Sequence, residues 1–78
     1  MTPEQCRAAR GWLDLSQDEL ARAGGVSLST VRDFEKGRRV PIANNLKAME
    51  AALRSQGIEF VVADQKTSGI TYTAPEPA

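Results

Sequence analysis

The chain has 78 residues, 41% of them hydrophobic, and its ten basic residues balance ten acidic residues. This length makes a single domain with a small core, so a dimer interface would add stability that the monomer lacks. The single cysteine excludes an internal disulfide, and with neither a signal peptide nor an apolar run long enough to span a membrane we expect a cytoplasmic protein.

The first helix is expected to begin at Pro3 and to end at Trp12 or Leu13. Thr2 is suited to cap its N-terminus, and Gln5 stands where it completes a capping box. Three residues share the face that would turn toward a core: Cys6, Ala9 and Leu13. The cysteine is therefore interpreted as a small buried hydrophobe rather than as a redox group.

A second helix is expected to begin at about Gln17, because Ser16 and Glu19 have the spacing of another capping box. Gly24 and Gly25 end it, since glycine enters the left-handed region of backbone conformation at no steric cost.

The third helix is expected over residues 28–36, with Ser27 as its N-cap and Gly37 as its stop. On a helical wheel, Val31 and Phe34 lie on one apolar face. The other face is a short, mainly polar arc: Leu28, Ser29, Arg32, Asp33 and Lys36. Two short helices joined by a glycine turn, with such a face on the second, are typical of proteins that read the major groove of DNA.

This segment resembles the helix-turn-helix of the Cro and phage-repressor (XRE-type) family. The resemblance covers roughly residues 4 to 57, and about ten positions agree in both identity and spacing. They are Gln17, Glu19, Leu20, Ala21, Gly25, Val26, Ser27, Val31, Phe34, Glu35 and Gly37. One position departs from the family pattern: Gly24 stands where a small or medium apolar residue is usual, at a cost on the order of 1 kcal/mol.

Base contacts are predicted from the polar arc of the third helix. Arg32 is the foremost candidate, because an arginine can bond guanine O6 and N7 together. Ser29 and Leu28 lie at the start of the helix, where a hydroxyl can bond a base edge and a leucine can contact a thymine methyl group. Asp33 has two interpretations: it accepts from cytosine, or it orients Arg32 or a neighbouring lysine.

Phosphate contacts are predicted for five polar or cationic residues: Gln17, Ser27, Lys36, Arg38 and Arg39. Gln17 lies at a helix N-terminus, where unpaired N–H groups and the helix dipole favour an anion. The resemblance adds that the family's glutamine at this position usually touches the DNA backbone. The alternative for the arginines is ordinary solvated charge.

The resemblance also implies a structural ion pair. An arginine late in the first helix commonly meets a glutamate late in the recognition helix in this family, and Arg10 and Glu35 stand at the matching positions. We expect a partly buried salt bridge between them.

The remaining chain contains one more helix and two candidate strands. A fourth helix is expected from Ala43 to Ser55, and Gly57 ends it. Its core-facing residues recur at helical spacing: Leu46, Met49 and Leu53. The period then becomes alternating, which predicts a strand whose buried face carries Ile58, Phe60 and Val62. A second strand is expected over residues 70–73, after a polar stretch over residues 64–69.

These elements divide the chain into a helix-turn-helix domain, residues 1–57, and a C-terminal strand or hairpin with a flexible tail, residues 58–78. A lone hairpin is marginally stable in water, so this one either packs on the helices or pairs with a second subunit and makes a dimer. Trp12 lies off the apolar stripe of the first helix. It covers the hairpin, joins a dimer interface, or remains a partly exposed residue at the rim of the core.

Other chemistry finds little support in the sequence. There is no histidine, no acid–base pair of carboxylates at a suitable spacing, no glycine-rich phosphate loop and no metal-ligand cluster. We therefore expect a protein that is not an enzyme and that uses no cofactor and no metal. The zero net charge argues weakly against nucleic-acid binding. However, residues 22–39 contain five basic and two acidic residues, so positive charge is concentrated at the helix-turn-helix and the loop after it.

The expected fold is mainly α, a four-helix repressor-like helix-turn-helix domain with a C-terminal strand or β-hairpin. The expected function is sequence-specific binding of double-stranded DNA, by a homodimeric, nucleoid-associated repressor that reads a palindromic operator. Two alternatives stay open: an antitoxin that regulates its own operon, and a protein-interaction module on the same scaffold. The protein partners considered are a toxin, an antiactivator and RNA polymerase, the last through Asp14 or Asp18 near the start of the second helix.

Overall fold

The chain folds into four helices followed by one antiparallel hairpin in a computed structural model that describes residues 1–64 and 68–75. The elements are α1 (Pro3–Leu13), α2 (Gln17–Gly24), α3 (Leu28–Glu35), α4 (Ala43–Arg54), β1 (Ile58–Val62) and β2 (Ser68–Tyr72). The prediction of a mainly helical, four-helix domain with a C-terminal hairpin is confirmed. In the described part of the chain, none of the helices combines the length and the apolar character that crossing a bilayer requires.

Both predicted capping boxes are present. The Thr2 hydroxyl accepts the backbone N–H of Gln5 at 3.1 Å, and the side-chain oxygen Oε1 of Gln5 accepts the backbone N–H of Thr2 at 2.8 Å. Ser16 and Glu19 make the same reciprocal pair at the start of α2, with both distances at 3.0 Å. These bonds satisfy backbone donors that a helix leaves unpaired at its start, so the two helices begin where local sequence predicts.

Two helix ends differ from prediction by one residue. Lys36 is the C-cap of α3 rather than its last residue, and Gly37 follows in the left-handed region with φ of 72°. Ser55 is likewise the C-cap of α4. The N–H of each cap residue still donates to the last turn, Lys36 to Arg32 O and Ser55 to Ala51 O, so each lies at the helix end without belonging to the helix.

The core lies between the four helices and the first strand. Its buried apolar residues come from all five elements: Cys6, Ala9, Leu20, Ala21, Val31, Phe34, Met49, Ala52, Leu53 and Ile58. Other predicted inward-facing residues pack against this cluster while keeping some exposure: Leu13, Leu15, Val26, Leu46 and Phe60. The buried face of each helix therefore agrees with its helical wheel.

The hairpin pairs β1 with β2 in a register that places Phe60 opposite Ile70 and Val62 opposite Ser68. The second strand thus begins two residues before its predicted start and ends at Tyr72. Its limits are set by pairing with β1 and not by the positions of its own β-branched residues. The prediction that Val62 is buried is wrong, since its side chain is 71% exposed. Ile58 is fully buried beside α4, but burial declines along the rest of the strand.

Two contacts fasten the hairpin to α1. Gln5 Nε2 donates to the carbonyl oxygens of Val61 at 3.1 Å and Gly69 at 2.9 Å. The Trp12 ring lies against Tyr72, with centroids 5.6 Å apart, although Trp12 remains 64% exposed. The hairpin therefore packs on the helices of its own chain.

Two predicted irregular segments are only partly described. Within the polar stretch predicted between the strands, residues 65–67 lie outside the described residues, as do residues 76–78 of the predicted tail. Residues 73–75 belong to neither a helix nor a strand.

Candidate nucleic-acid interface

The connection between α2 and α3 is short and held by local hydrogen bonds. Gly25 adopts φ of 66° at the C-cap of α2, and the Val26 N–H donates to Ala21 O at 2.9 Å. Ser27 then caps α3, with its hydroxyl accepting the Thr30 N–H at 3.1 Å. Because each bond is made within a few residues, the turn is encoded locally, and it fixes how α3 leaves α2.

Helix α3 has one face buried in the core and one face open to solvent. Val31, Phe34 and Glu35 are buried. Ser29, Arg32 and Lys36 are exposed on the other side, while Leu28 and Asp33 are half-buried between the two faces. The buried face anchors the helix, so its polar side chains can be presented to a partner without loss of core packing.

The cations of α3 and the loop after it lack an acidic partner among the described residues. Each arginine elsewhere in the chain is within 4.0 Å of a carboxylate, in the pairs Arg7–Glu4, Arg10–Glu35, Arg22–Asp18 and Arg54–Glu50. The three exposed arginines of α3 and the loop after it, Arg32, Arg38 and Arg39, form no such pair with any described residue, and neither does Lys36. The positive charge of this segment is therefore not neutralised within the described chain, despite the zero net charge of the whole.

Asp33 lies beside these cations without pairing to them. It lines a surface groove of about 240 Å³ between α3 and the following loop, together with Ser29 and Arg39. Neither Arg32 nor Lys36 comes within 4.0 Å of its carboxylate, so the interpretation that Asp33 orients one of them finds no ion pair in this structure.

Two predicted phosphate-contacting side chains already have partners within the chain. The Ser27 hydroxyl lies 2.8 Å from that of Thr30 and 3.1 Å from that of Ser29, besides capping α3. Gln17 Nε2 donates to Glu35 Oε1 at 3.1 Å. Each keeps further hydrogen-bonding capacity, because a hydroxyl and a carboxamide can make several bonds at once.

Glu35 is a buried carboxylate at the meeting point of α1, α2 and α3. Arg10 donates a hydrogen bond to each carboxylate oxygen, from Nε to Oε2 and from Nη2 to Oε1, both at 2.6 Å. Cys6 Sγ donates to Oε2 at 3.1 Å, and Arg7 donates to the backbone oxygen of Glu35. The structure thus brings the predicted pair, Arg10 and Glu35, into direct contact, and it adds donors that neither composition nor resemblance indicated.

The pKa values around Glu35 follow from burial and these donors. Burial alone would raise the pKa of Glu35, but hydrogen bonds from Arg10, Gln17 and Cys6, together with the Arg10 charge, outweigh burial and hold the pKa below its usual value. Burial raises the pKa of the Cys6 thiol, and its hydrogen bond to Glu35 raises it further. The glutamate therefore stays charged at neutral pH, and the thiol remains a protonated donor.

Comparison with known families agrees with this arrangement. A family model described as helix-turn-helix matches residues 7–60, which is more than half of the chain. The chain belongs to the Cro/C1-type helix-turn-helix (XRE) family. As an XRE-family protein it is a DNA-binding transcriptional regulator. No curated protein matches the sequence.

The family model matches residues 7–60 of this XRE-family protein, whereas the resemblance seen in the sequence covered roughly residues 4 to 57. The match therefore begins three residues later and extends into β1. Membership of a regulatory DNA-binding family accords with the expectation of a protein that is not an enzyme. Within residues 1–64 and 68–75, no three potential metal-ligating side chains come together.

Sequence reasoning missed the second roles of several polar residues. Gln5 was assigned to a capping box alone, yet its amide nitrogen also holds the hairpin. Asp14 was considered for its charge, but it is the C-cap of α1 with φ of 57°, a conformation that aspartate tolerates better than most residues. The Asp14 position could have been inferred from the need to end α1 before Ser16, whereas the Gln5 contact spans more than fifty residues and has no local signal.

Proposed function

We propose that this protein is a homodimeric repressor that binds a palindromic DNA sequence, with α3 of each protomer in the major groove. The observation that carries the proposal is the distribution of unpaired charge. Arginines outside the segment from α3 to its following loop are paired with carboxylates, and those within it have no acidic partner among the described residues. Such charges are available to DNA phosphates and base edges at no cost of breaking an ion pair.

Base recognition is assigned to four residues of α3: Leu28, Ser29, Arg32 and Asp33. Arg32 is exposed in the middle of the helix, where a guanidinium can bond guanine O6 and N7 together. Asp33 lines the protein's surface groove between α3 and the following loop, and its carboxylate is suited to accept a hydrogen bond from a cytosine amino group.

Phosphate contacts are assigned to residues at both edges of this face: Gln17, Ser27, Lys36, Arg38 and Arg39. The three cations are exposed on α3 and the loop after it. Gln17 and Ser27 lie at the N-terminal ends of α2 and α3, where unpaired N–H groups favour an anion.

The dimer surface is assigned to the C-terminal hairpin with Trp12. Six large apolar side chains are exposed in the described part of the chain, and four of them lie here: Trp12, Val61, Val62 and Tyr72. A second copy of the chain would cover this surface, and residues 58–78 would then serve dimerisation while residues 1–57 bind DNA. The two recognition helices must lie about 34 Å apart to enter successive major grooves on one side of the duplex.

A pair of matched variants tests the dimer. Val62→Lys places a charge in the proposed interface, whereas Ile42→Lys places one at a similarly exposed apolar residue of the α3–α4 loop, at 70% against 71% exposure. Sedimentation equilibrium should show a dimer for the wild type and for Ile42→Lys, and a monomer for Val62→Lys. The opposite pattern would move the interface to the loop. A monomeric wild type would leave the hairpin surface to a protein partner, as in an antitoxin or an interaction module.

Selection of bound duplexes from random DNA tests the function itself. The proposal predicts a two-fold-symmetric consensus, with half-sites separated by about one helical turn. Repression is the simplest outcome, because a dimer seated on a promoter excludes polymerase without further residues. If no sequence is enriched even at low salt, sequence-specific binding is refuted.

A further inference from the structure

The side chain of Gln17 is oriented by a buried group of another helix. Its Nε2 atom donates to Glu35 Oε1 at 3.1 Å, between the first residue of α2 and the last residue of α3. A carboxylate accepts hydrogen bonds and donates none. Glu35 therefore dictates that the amide nitrogen of Gln17, and not its carbonyl oxygen, turns toward the protein interior.

This bond leaves part of the Gln17 carboxamide available. Nε2 carries a second N–H, and no described residue accepts from it. Gln17 is half-buried at the first position of α2, beside backbone N–H groups that a helix leaves unpaired at its start. A phosphate oxygen at this place would accept from the side chain and from the helix terminus together.

We propose that Glu35 is a positioning residue for DNA binding, which fixes the Gln17 carboxamide so that its second N–H meets a DNA phosphate. This inference rests on the proposed function. It adds to that function a buried residue that acts on the DNA contact through Gln17 and touches no DNA itself.

The Gln17 bond is not what keeps Glu35 charged and buried. Arg10 alone reaches both carboxylate oxygens at 2.6 Å. Loss of the Gln17 side chain therefore leaves both oxygens satisfied, and the fold should tolerate it. Loss of the carboxylate, in contrast, allows the Gln17 amide to rotate.

The test compares affinities for the duplex that the wild type selects. Gln17→Ala should weaken binding by about tenfold for each protomer, and so by about a hundredfold for the dimer, as expected for a hydrogen bond to a charged oxygen. Glu35→Gln, assayed well below its melting temperature, should weaken binding to a similar degree, because a carboxamide both donates and accepts and no longer sets the orientation of Gln17. The double variant should bind no more weakly than the weaker single variant. Gln56→Ala removes another half-buried glutamine, outside the helix-turn-helix, and should keep wild-type affinity.

A measurement on the wild type makes the test independent of the stability of Glu35→Gln. In ¹H–¹⁵N spectra, one side-chain amide proton of Gln17 should shift when the duplex is added, while the proton that faces Glu35 keeps its position. A neutral methylphosphonate at the contacted phosphate of each half-site should abolish the shift.

Several results would overturn the inference. They are wild-type affinity for Gln17→Ala, losses that multiply in the double variant, and Gln17 amide protons that both stay in place when the duplex binds. These are distinct from failure of the proposed function, in which the wild type selects no duplex and both proposals fall. A selected duplex that Gln17→Ala binds normally refutes this inference alone.

Discussion

Glu35 is 3% exposed, and four hydrogen bonds replace the water that folding removes from its carboxylate. Two of them come from Arg10, whose charge also compensates that of the carboxylate. Taking both charges out of water is costly, so the net contribution of such a pair to stability is small. Removing one partner is different, because the other then remains buried without compensation.

The Arg10–Glu35 pair is expected to behave as a unit in a double-mutant cycle. Arg10→Met and Glu35→Leu should each lower the free energy of unfolding by about 3 kcal/mol. Each substitution leaves the remaining charged side chain of the pair buried without its partner. The double variant should lose clearly less than the sum of the two. Urea denaturation of the four proteins at neutral pH gives these values, and additive losses would contradict direct coupling.

Stability should also fall in acid because of Glu35. Its native pKa is lowered, so the unfolded chain, with the ordinary glutamate value of 4.5, binds more protons between the two pKa values. The free energy of unfolding should therefore be fully retained above about pH 5 and be lost as the pH falls through the native pKa. Glu35→Gln should flatten this loss in urea denaturation at a series of pH values.

Glu19 provides the comparison for this pH effect. Hydrogen bonds from the backbone and the side chain of Ser16 lower the pKa of Glu19, which is fully exposed. This lowered pKa also makes stability fall in acid. Glu19→Gln should flatten the acid profile less than Glu35→Gln does, because solvent screens its interactions. An unchanged profile in Glu35→Gln would show that other carboxylates cause the acid loss.

Single residues were predictable where their partners lie close in sequence. The two capping boxes and the Ser27 cap join residues three positions apart, so local spacing indicates them. The Arg10–Glu35 contact crosses 25 positions, and only the family resemblance pointed to it. Neither source indicated that Cys6 and Gln17 also donate to Glu35, because these contacts depend on how three helices meet.

At the scale of whole elements, the four helices were predictable and the hairpin was less so. Caps, glycines and a 3.6-residue period define a helix from its own sequence. A strand takes its limits from its neighbour, and β2 accordingly begins at Ser68, which pairs with Val62. Burial along β1 depends on how closely each part of the strand packs against the helices, and the alternation of apolar and polar residues does not show this.

The junction of α2 with α4 gives a prediction about Gly24. A methyl group added at Gly24 would lie 3.5 Å from the backbone of Ala48 and Met49, which is ordinary contact. Gly24→Ala should therefore raise the free energy of unfolding by about 0.5 to 1 kcal/mol, since alanine has the higher helix propensity. Urea denaturation would measure this gain.

Gly25 is the control for that substitution. Its φ of 66° is unfavourable for any residue with a side chain, so Gly25→Ala should destabilise the chain by about 1 kcal/mol although no atom lies in the way. A loss of stability in Gly24→Ala as well would mean that α2 and α4 cannot accommodate the added methyl group.

For the molecule as a whole, the arrangement of charge matters more than its sum. The ten bases and ten acids cancel, yet the ion pairs of the described residues leave the cations of α3 and its following loop unpaired. The sequence predicted this polarity from a count of charges along the chain. Of the four arginine pairs, only Arg10–Glu35 was predicted, through the family resemblance, and the other three were not.

Salt dependence of DNA binding tests this arrangement. If each protomer of a dimer neutralises three or four phosphates, the logarithm of affinity should fall against the logarithm of salt concentration with a slope of roughly −5 to −7. Lys36→Ala and Arg38→Ala should each make the slope shallower by about two, one for each protomer. Fluorescence anisotropy over a salt series measures it. A slope near half the expected value would indicate a bound monomer.

The central claim is that the exposed face of α3 reads base sequence, and one comparison tests it directly. The affinities of the wild type, Arg32→Ala and Arg22→Ala should be measured on the selected duplex and on all its single-base-pair substitutions. Arg22 is also an exposed helical arginine, but its charge is paired with Asp18 at 3.1 Å. Arg32→Ala should lose about 1 to 3 kcal/mol of discrimination at one base pair of each half-site, while Arg22→Ala keeps the wild-type pattern. Full discrimination at every position by Arg32→Ala would contradict the assignment of Arg32 as the foremost base-reading residue of α3.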